Sequence, residues 1–132
     1  MTARQVLGLG AVLGALGVAL GAFGAHALKA RLSPADLATF ETGVRYQLYH
    51  AAALLGLAAW IDRSQSSKLG WAARCFGLGV AIFSGSLYLL VATQQRWLGA
   101  ITPFGGVALI AGWVLIALAS IDQTRPAPPA SR

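Results

Sequence analysis

Four long apolar stretches, separated by short polar links, take up most of this chain. A helix needs about 20 mostly apolar residues to cross the hydrocarbon core of a bilayer. The stretches fall at about residues 6–28, 44–61, 69–92 and 102–121. Only 11% of the 132 residues are charged, too few to clothe a water-exposed surface, for which roughly 25% is usual. Lipid leaves a spanning backbone no water to bond with, so such stretches form helices. The fold class is therefore all-α: a four-helix transmembrane bundle forming one membrane domain over residues 1–121. Residues 122–132, rich in proline and alanine, read as a disordered tail.

The first stretch carries Gly10, Gly14, Gly17, Gly21 and Gly24 at intervals of 4-3-4-3. That spacing draws one stripe along a helix, a face on which a second helix can approach closely. Internal packing is the expectation, with self-association as its alternative. Gly105 and Gly112 form a similar face on the fourth stretch. Arg4 and the small-x-small Ala25-His26-Ala27 also have the form of a secretory signal peptide. The apolar run, however, exceeds the roughly 7–15 residues of a signal core.

Ser33-Pro34-Ala35-Asp36 is a helix start, with serine as N-cap, proline at the first position and an acid behind it. Leu37 and Phe40 oppose Asp36, Glu41 and Arg45, so the second helix begins as an amphipathic interfacial segment. Gly43 is a candidate bend before the apolar part.

The formal charge of +6 sits mostly at the edges of the apolar stretches, where lysine and arginine anchor helices at headgroups. The expected partners are the bilayer and other membrane proteins or further copies of the chain; no basic face interleaved with aromatics points to nucleic acid. Four crossings put both termini on one side. With the N-terminus, second loop and tail lie Arg4, Arg63, Lys68, Arg74, Arg125 and Arg132; opposite lie Lys29, Arg31, Arg45 and Arg96. That balance favours a cell (inner or plasma) membrane protein with cytoplasmic termini.

Polar groups at membrane depth are candidates for function because burying them costs free energy. Glu41, Arg45, Tyr46, Gln47, Tyr49 and His50 cluster on the second helix, with Glu41 and Arg45 spaced to pair. Ser84, Ser86 and Tyr88 add hydroxyls on the third. His26 and His50 are the only histidines, and could share a proton, a metal or a haem if a bend brought them to one face. No carboxylate or thiol completes such a site: Cys75 is the single cysteine, so neither a metal site nor a cofactor is assigned. Ser84 lies in Phe-Ser-Gly-Ser, which lacks a nucleophile elbow, and no catalytic residue is assigned.

Several segments taken together resemble one family. They are Gly21-Ala22-Phe23-Gly24-Ala25-His26, Thr42-Gly43-Val44-Arg45-Tyr46-Gln47 with His50-Ala51, Phe83-Ser84-Gly85-Ser86-Leu87-Tyr88, Ile101-Thr102-Pro103-Phe104-Gly105-Gly106, and Gly112-Trp113. The family is that of small four-helix membrane proteins of unknown function, with YgdD-like and YwdK-like bacterial members and mitochondrial relatives. The resemblance implies a multi-pass inner-membrane protein and supplies no activity. It adds weight to His26, Arg45, Tyr46, Gln47, His50, Ser84, Ser86, Tyr88, Thr102 and Pro103, and counts against cleavage at His26. Three functions stay open: a structural or accessory membrane protein, a small-solute or proton transporter or channel using Arg45, Gln47 and His50, and a histidine-dependent metal or haem protein.

Overall fold

The computed structural model describes residues 1–64 and 66–123. Helix α1 (Ala3–Phe23) starts at a capping box: Gln5 N–H donates to Thr2 Oγ1 at 3.3 Å, and Thr2 N–H to Gln5 Oε1 at 2.9 Å. These bonds satisfy donors that a helix start leaves open. A π-helical turn, Gly24–Leu28, closes it, with Lys29 N–H reaching Gly24 O at 3.1 Å. Helix α2 (Pro34–Arg63) is capped by Ser33, whose hydroxyl accepts from Asp36 N–H at 3.1 Å. Helix α3 (Ser67–Thr93) stops where Gln94 enters the left-handed region at φ 57°. A 3-10 turn, Arg96–Ala100, leads into α4 (Thr102–Gln123). The last helix therefore runs two residues into the segment read as tail. The rest of that segment, 124–132, lies outside the described residues.

Among the described residues three helices are long and apolar enough to cross a membrane: α1 with its π turn, α3, and α4 with the turn before it. Helix α2 carries its charges at both ends, and its uncharged stretch, 46–61, is short. It nonetheless runs antiparallel to α1 along nearly the full length of that helix. Atoms of Leu54 and Ala51 stand where a Cβ on Gly10 would meet them, those of Leu48 against Gly17, Val44 against Gly21 and Phe40 against Gly24. At 1.5 Å per residue α2 is about 45 Å long, more than a hydrocarbon core is thick. It passes through Gly43 as one uninterrupted α-helix.

Helices α2 and α3 lie at the centre, α1 packs chiefly on α2, and α4 on α3. The α3–α4 contact is reciprocal. Leu109 fills the space above Gly79, while Phe83 and Phe76 fill those above Gly105 and Gly112. Phe83 comes so near that its backbone nitrogen lies 2.4 Å from where a Cβ on Gly105 would stand. With little hydrophobic gain available between helices in lipid, close packing of this kind holds them together. Val6, Leu54, Leu69, Phe76 and Ala119 meet in the main core, and Phe40, Val44 and Val91 in a smaller one.

Both described ends lie at one end of the bundle. Met1 approaches Gly70 at the start of α3, and Lys68 pairs with Asp122 near the end of α4. At the opposite end Gln94 reaches Asp36.

Candidate functional site in the bundle interior

The interior polar groups form two hydrogen-bonded knots. The first joins α1, α2 and α3. Gly43 has no Cβ, and the Tyr88 ring occupies its place, 2.7 Å from where that atom would stand. The Tyr88 hydroxyl donates to Gln47 Oε1 at 2.9 Å, and Gln47 Nε2 donates to the Leu13 carbonyl at 2.8 Å. The side chain at i+4 usually overlies a helical carbonyl. Here that position is Gly17, so Gln47 and Leu48 come in close, with Leu48 Cδ2 2.7 Å from where its Cβ would be. Ser84 Oγ donates to Gly43 O at 2.7 Å, and the Phe40 ring stands 5.1 Å from that of Tyr88.

The second knot joins α2 to α4. Trp113 Nε1–H donates to His50 Nε2 at 3.1 Å, and His50 Nδ1 lies 2.8 Å from the Tyr46 carbonyl. An indole nitrogen only donates, so Nε2 must present its lone pair. The hydrogen then sits on Nδ1 and is donated to Tyr46 O. Both ring nitrogens of this neutral tautomer are engaged. Phe76 packs edge-on to His50 with centroids 5.0 Å apart, and Tyr46 stacks on Phe83 at 4.5 Å. Nearer the Arg96 end, Ser86 Oγ donates to Phe83 O at 2.9 Å and lies 2.7 Å from Thr102 Oγ1, tying α3 to α4.

Gln47, His50, Ser84 and Ser86 are the buried polar side chains among the described residues. Each is bonded within the bundle, and among the described residues no buried side-chain polar atom lacks a partner.

The remaining candidates stand apart. His26 is exposed in the π turn. His50 lies beside Ala51, which faces Gly14, so the two imidazoles are about 18 Å apart along the bundle axis at 1.5 Å per residue. The juxtaposition that a shared proton, metal or haem requires is not formed. Among the described residues no three His, Cys, Asp or Glu side chains come together. Glu41 and Arg45 are both exposed and make no ion pair among the described residues. Their i, i+4 spacing allows pairing, but headgroup-level solvent offers each an alternative. They border a groove of about 260 Å³ between α1 and α2. Tyr49 is largely exposed, whereas Tyr46 is 39% exposed and packs on Phe83.

Two further residues, Trp113 and Gly79, are not among the sequence candidates. Trp113 was visible within a motif, and its position is the signal: tryptophans gather at membrane interfaces, whereas Trp113 sits mid-span, where its N–H needs an acceptor. Gly79 carries no comparable signal, since its role depends on Leu109 arriving from another helix.

Residues 20–106 match the family described as Protein of unknown function (DUF423). The chain belongs to the DUF423 family. Among its relatives, the UPF0382 inner membrane protein YgdD of Escherichia coli is 40% identical over 125 residues, covering 95% of both chains. The UPF0382 membrane protein YwdK of Bacillus subtilis is 44% identical over 117 residues, 86% of this chain and 93% of its own. The UPF0382 membrane protein SH2409 of Staphylococcus haemolyticus is 44% identical over 112 residues, 85% of this chain and 91% of its own. No solved structure matches. This DUF423 chain is thus a multi-pass membrane protein of the same kind as these relatives, whose names state a location and no activity. The first knot lies within the matched segment except for Leu13 and Gly17, and Trp113 of the second lies just beyond it.

Proposed function

We propose that this chain is a structural or accessory membrane protein, which acts by packing with other membrane proteins or with itself. One observation carries the reading: the interior polar groups are already bonded to one another or to backbone. A transport path or reaction centre needs interior groups that can exchange partners, and charged ones in spans mark such paths. Here α1, α3 and α4 contain no acid within their apolar stretches, and Glu41 and Arg45 lie outside the core. What the chain offers instead is its outer surface, where Phe104, Val107, Ile110, Trp113, Val114 and Leu118 project from α4.

The test is purification of the full chain from native membranes in mild detergent, with crosslinking beforehand. A discrete species larger than the monomer is the expected result. Monomer under every condition, or proton or solute flux in proteoliposomes that is lost in His50→Ala, overturns the reading.

The orientation we infer has both ends in the cytoplasm. Arg4, Arg63, Lys68 and Arg74 on one side balance Lys29, Arg31, Arg45 and Arg96 on the other, and Arg125 and Arg132 follow α4 in the sequence. Those two arginines tip the positive-inside balance.

A further inference from the structure

Helix α1 touches α3 near its start, where Leu9 Cδ2 lies 3.0 Å from where a Cβ on Gly77 would stand. Beyond that point α1 follows α2. A groove of about 500 Å³ opens between α1 and α3, lined by α1 from Leu13 to Phe23 and by α3 from Val80 to Tyr88. Its α1 wall is about 15 Å long at 1.5 Å per residue. The small residues of α3 continue past Gly77 to Ala81 and Gly85, and a Cβ on Gly85 would meet nothing within 4 Å. The groove opens sideways, at the depth of the spanning helices, where hydrocarbon is the solvent.

Polar atoms at its floor make no demand on a ligand: Ser84 Oγ is bonded to Gly43 O, and Tyr88 OH and the Gln47 amide to each other and to Leu13 O. A polar solute therefore gains little there, and an unbranched hydrocarbon chain gains contact along the whole length. The Phe23 end of the groove points toward the link after α1, which carries exposed Lys29 and Arg31. Neither makes an ion pair among the described residues. Of the other charged groups at this end, Asp36 and Arg96 line a separate cavity between α2 and α3, and Glu41 borders the α1–α2 groove.

We propose that the α1–α3 groove is a binding site for an anionic phospholipid, with one acyl chain along Ala81 and Gly85 and the phosphate at Lys29 and Arg31. The proposal does not depend on the accessory role.

The experiment reconstitutes the full chain in nanodiscs holding phosphatidylglycerol with a diazirine in its acyl chain, and maps crosslinks by mass spectrometry. Labelling is expected at Leu16, Ala19, Ala81 and Gly85 above that on the outer face of α4. Gly85→Leu, or Ala19→Leu from the opposite wall, fills the groove. Either is expected to lower groove labelling about tenfold, the equivalent of displacing about two methylenes, while α4 labelling holds steady as the check on folding. Replacing Lys29 and Arg31 by glutamine should erase the preference over a phosphatidylcholine probe, and excess inorganic phosphate should not compete. Groove labelling no higher than that of α4, insensitivity to the filling variants, equal labelling by both probes, or competition by free phosphate overturns the proposal. So does crosslinking of the groove to a helix of a second copy.

Discussion

Trp113 on the last helix donates its indole N–H to His50 Nε2 on the second, at 3.1 Å. The two helices share little other contact, because α2 and α3 form the centre and α4 packs on α3. The bond reaches past Phe76, whose ring lies against both partners with centroids 5.0 and 5.1 Å away. It holds His50 as a hydrogen-bond acceptor on this side and a donor to Tyr46 O on the other, a structural role that leaves neither nitrogen to take up a proton without losing a partner.

This pairing sets the first prediction. Trp113→Phe keeps the ring against Phe76 and removes the donor. Interhelical hydrogen bonds in membranes average about 0.6 kcal/mol and reach about 1.7. A double-mutant cycle of Trp113→Phe with His50→Leu, read by unfolding in micelles, should give a coupling in that range. Strict additivity would show that the bond contributes nothing to stability.

Gly43→Ala is expected to destabilise by about 1–3 kcal/mol, the usual cost of overpacking. The added methyl would lie 2.7 Å from Tyr88 Cε1, so the ring must shift and its hydroxyl leave Gln47. Pairing it with Tyr88→Val should recover part of the loss. If Gly43→Ala costs as much when Tyr88→Val is already present, the damage does not arise from the tyrosine ring.

A graded series on the glycines separates packing from helix propensity. Gly8 and Gly56 have nothing within 4 Å of a Cβ, so alanine there should be neutral or mildly stabilising, since alanine favours helix by up to about 1 kcal/mol. Gly105→Ala places a methyl 2.4 Å from the backbone nitrogen of Phe83. Backbone cannot swing aside, and α4 must separate from α3. Thermal unfolding should rank Gly105→Ala well below Gly43→Ala, where only a ring has to move. The reverse order would contradict the packing described.

What the sequence made legible follows from where each structural cause lies. The spans are local: each apolar run must form a helix wherever lipid surrounds it, and the caps at Thr2 and Ser33 are set within a few residues. The amphipathic start of α2 is local too, with Phe40 buried and Glu41 and Arg45 exposed. The interior knots are not. Nothing near Gly43 in the sequence shows that Tyr88 from another helix needs its space, and the i, i+4 spacing of Glu41 and Arg45 shows that they could meet without showing that they do. His26 and His50 look like a pair on paper because sequence carries no depth. Only the antiparallel pairing of α1 with α2 sets them turns apart.

The placement of the ends is the most direct test of the whole arrangement. Met1 approaches Gly70, and Lys68 pairs with Asp122, so residue 2, the link after α2 and the end of α4 share one side, with the turns after α1 and α3 on the other. In a Cys75→Ser background, single cysteines at Thr2, Ser64 and Ser120 should react with a membrane-impermeant maleimide from the same face of the membrane. Cysteines at Ala30 and Gln95 should react only from the opposite face. The Lys68–Asp122 pair is partly exposed, at 37% and 45%, and such pairs contribute under about 1 kcal/mol. Asp122→Asn should therefore leave this labelling pattern intact while lowering stability slightly, and less so at high salt. Labelling of Thr2 and Ser64 from opposite faces would mean that α1 and α2 do not run antiparallel. The alignment of Gly10, Gly17 and Gly24 on α2, and with it the Gln47 bond to Leu13, could not then exist.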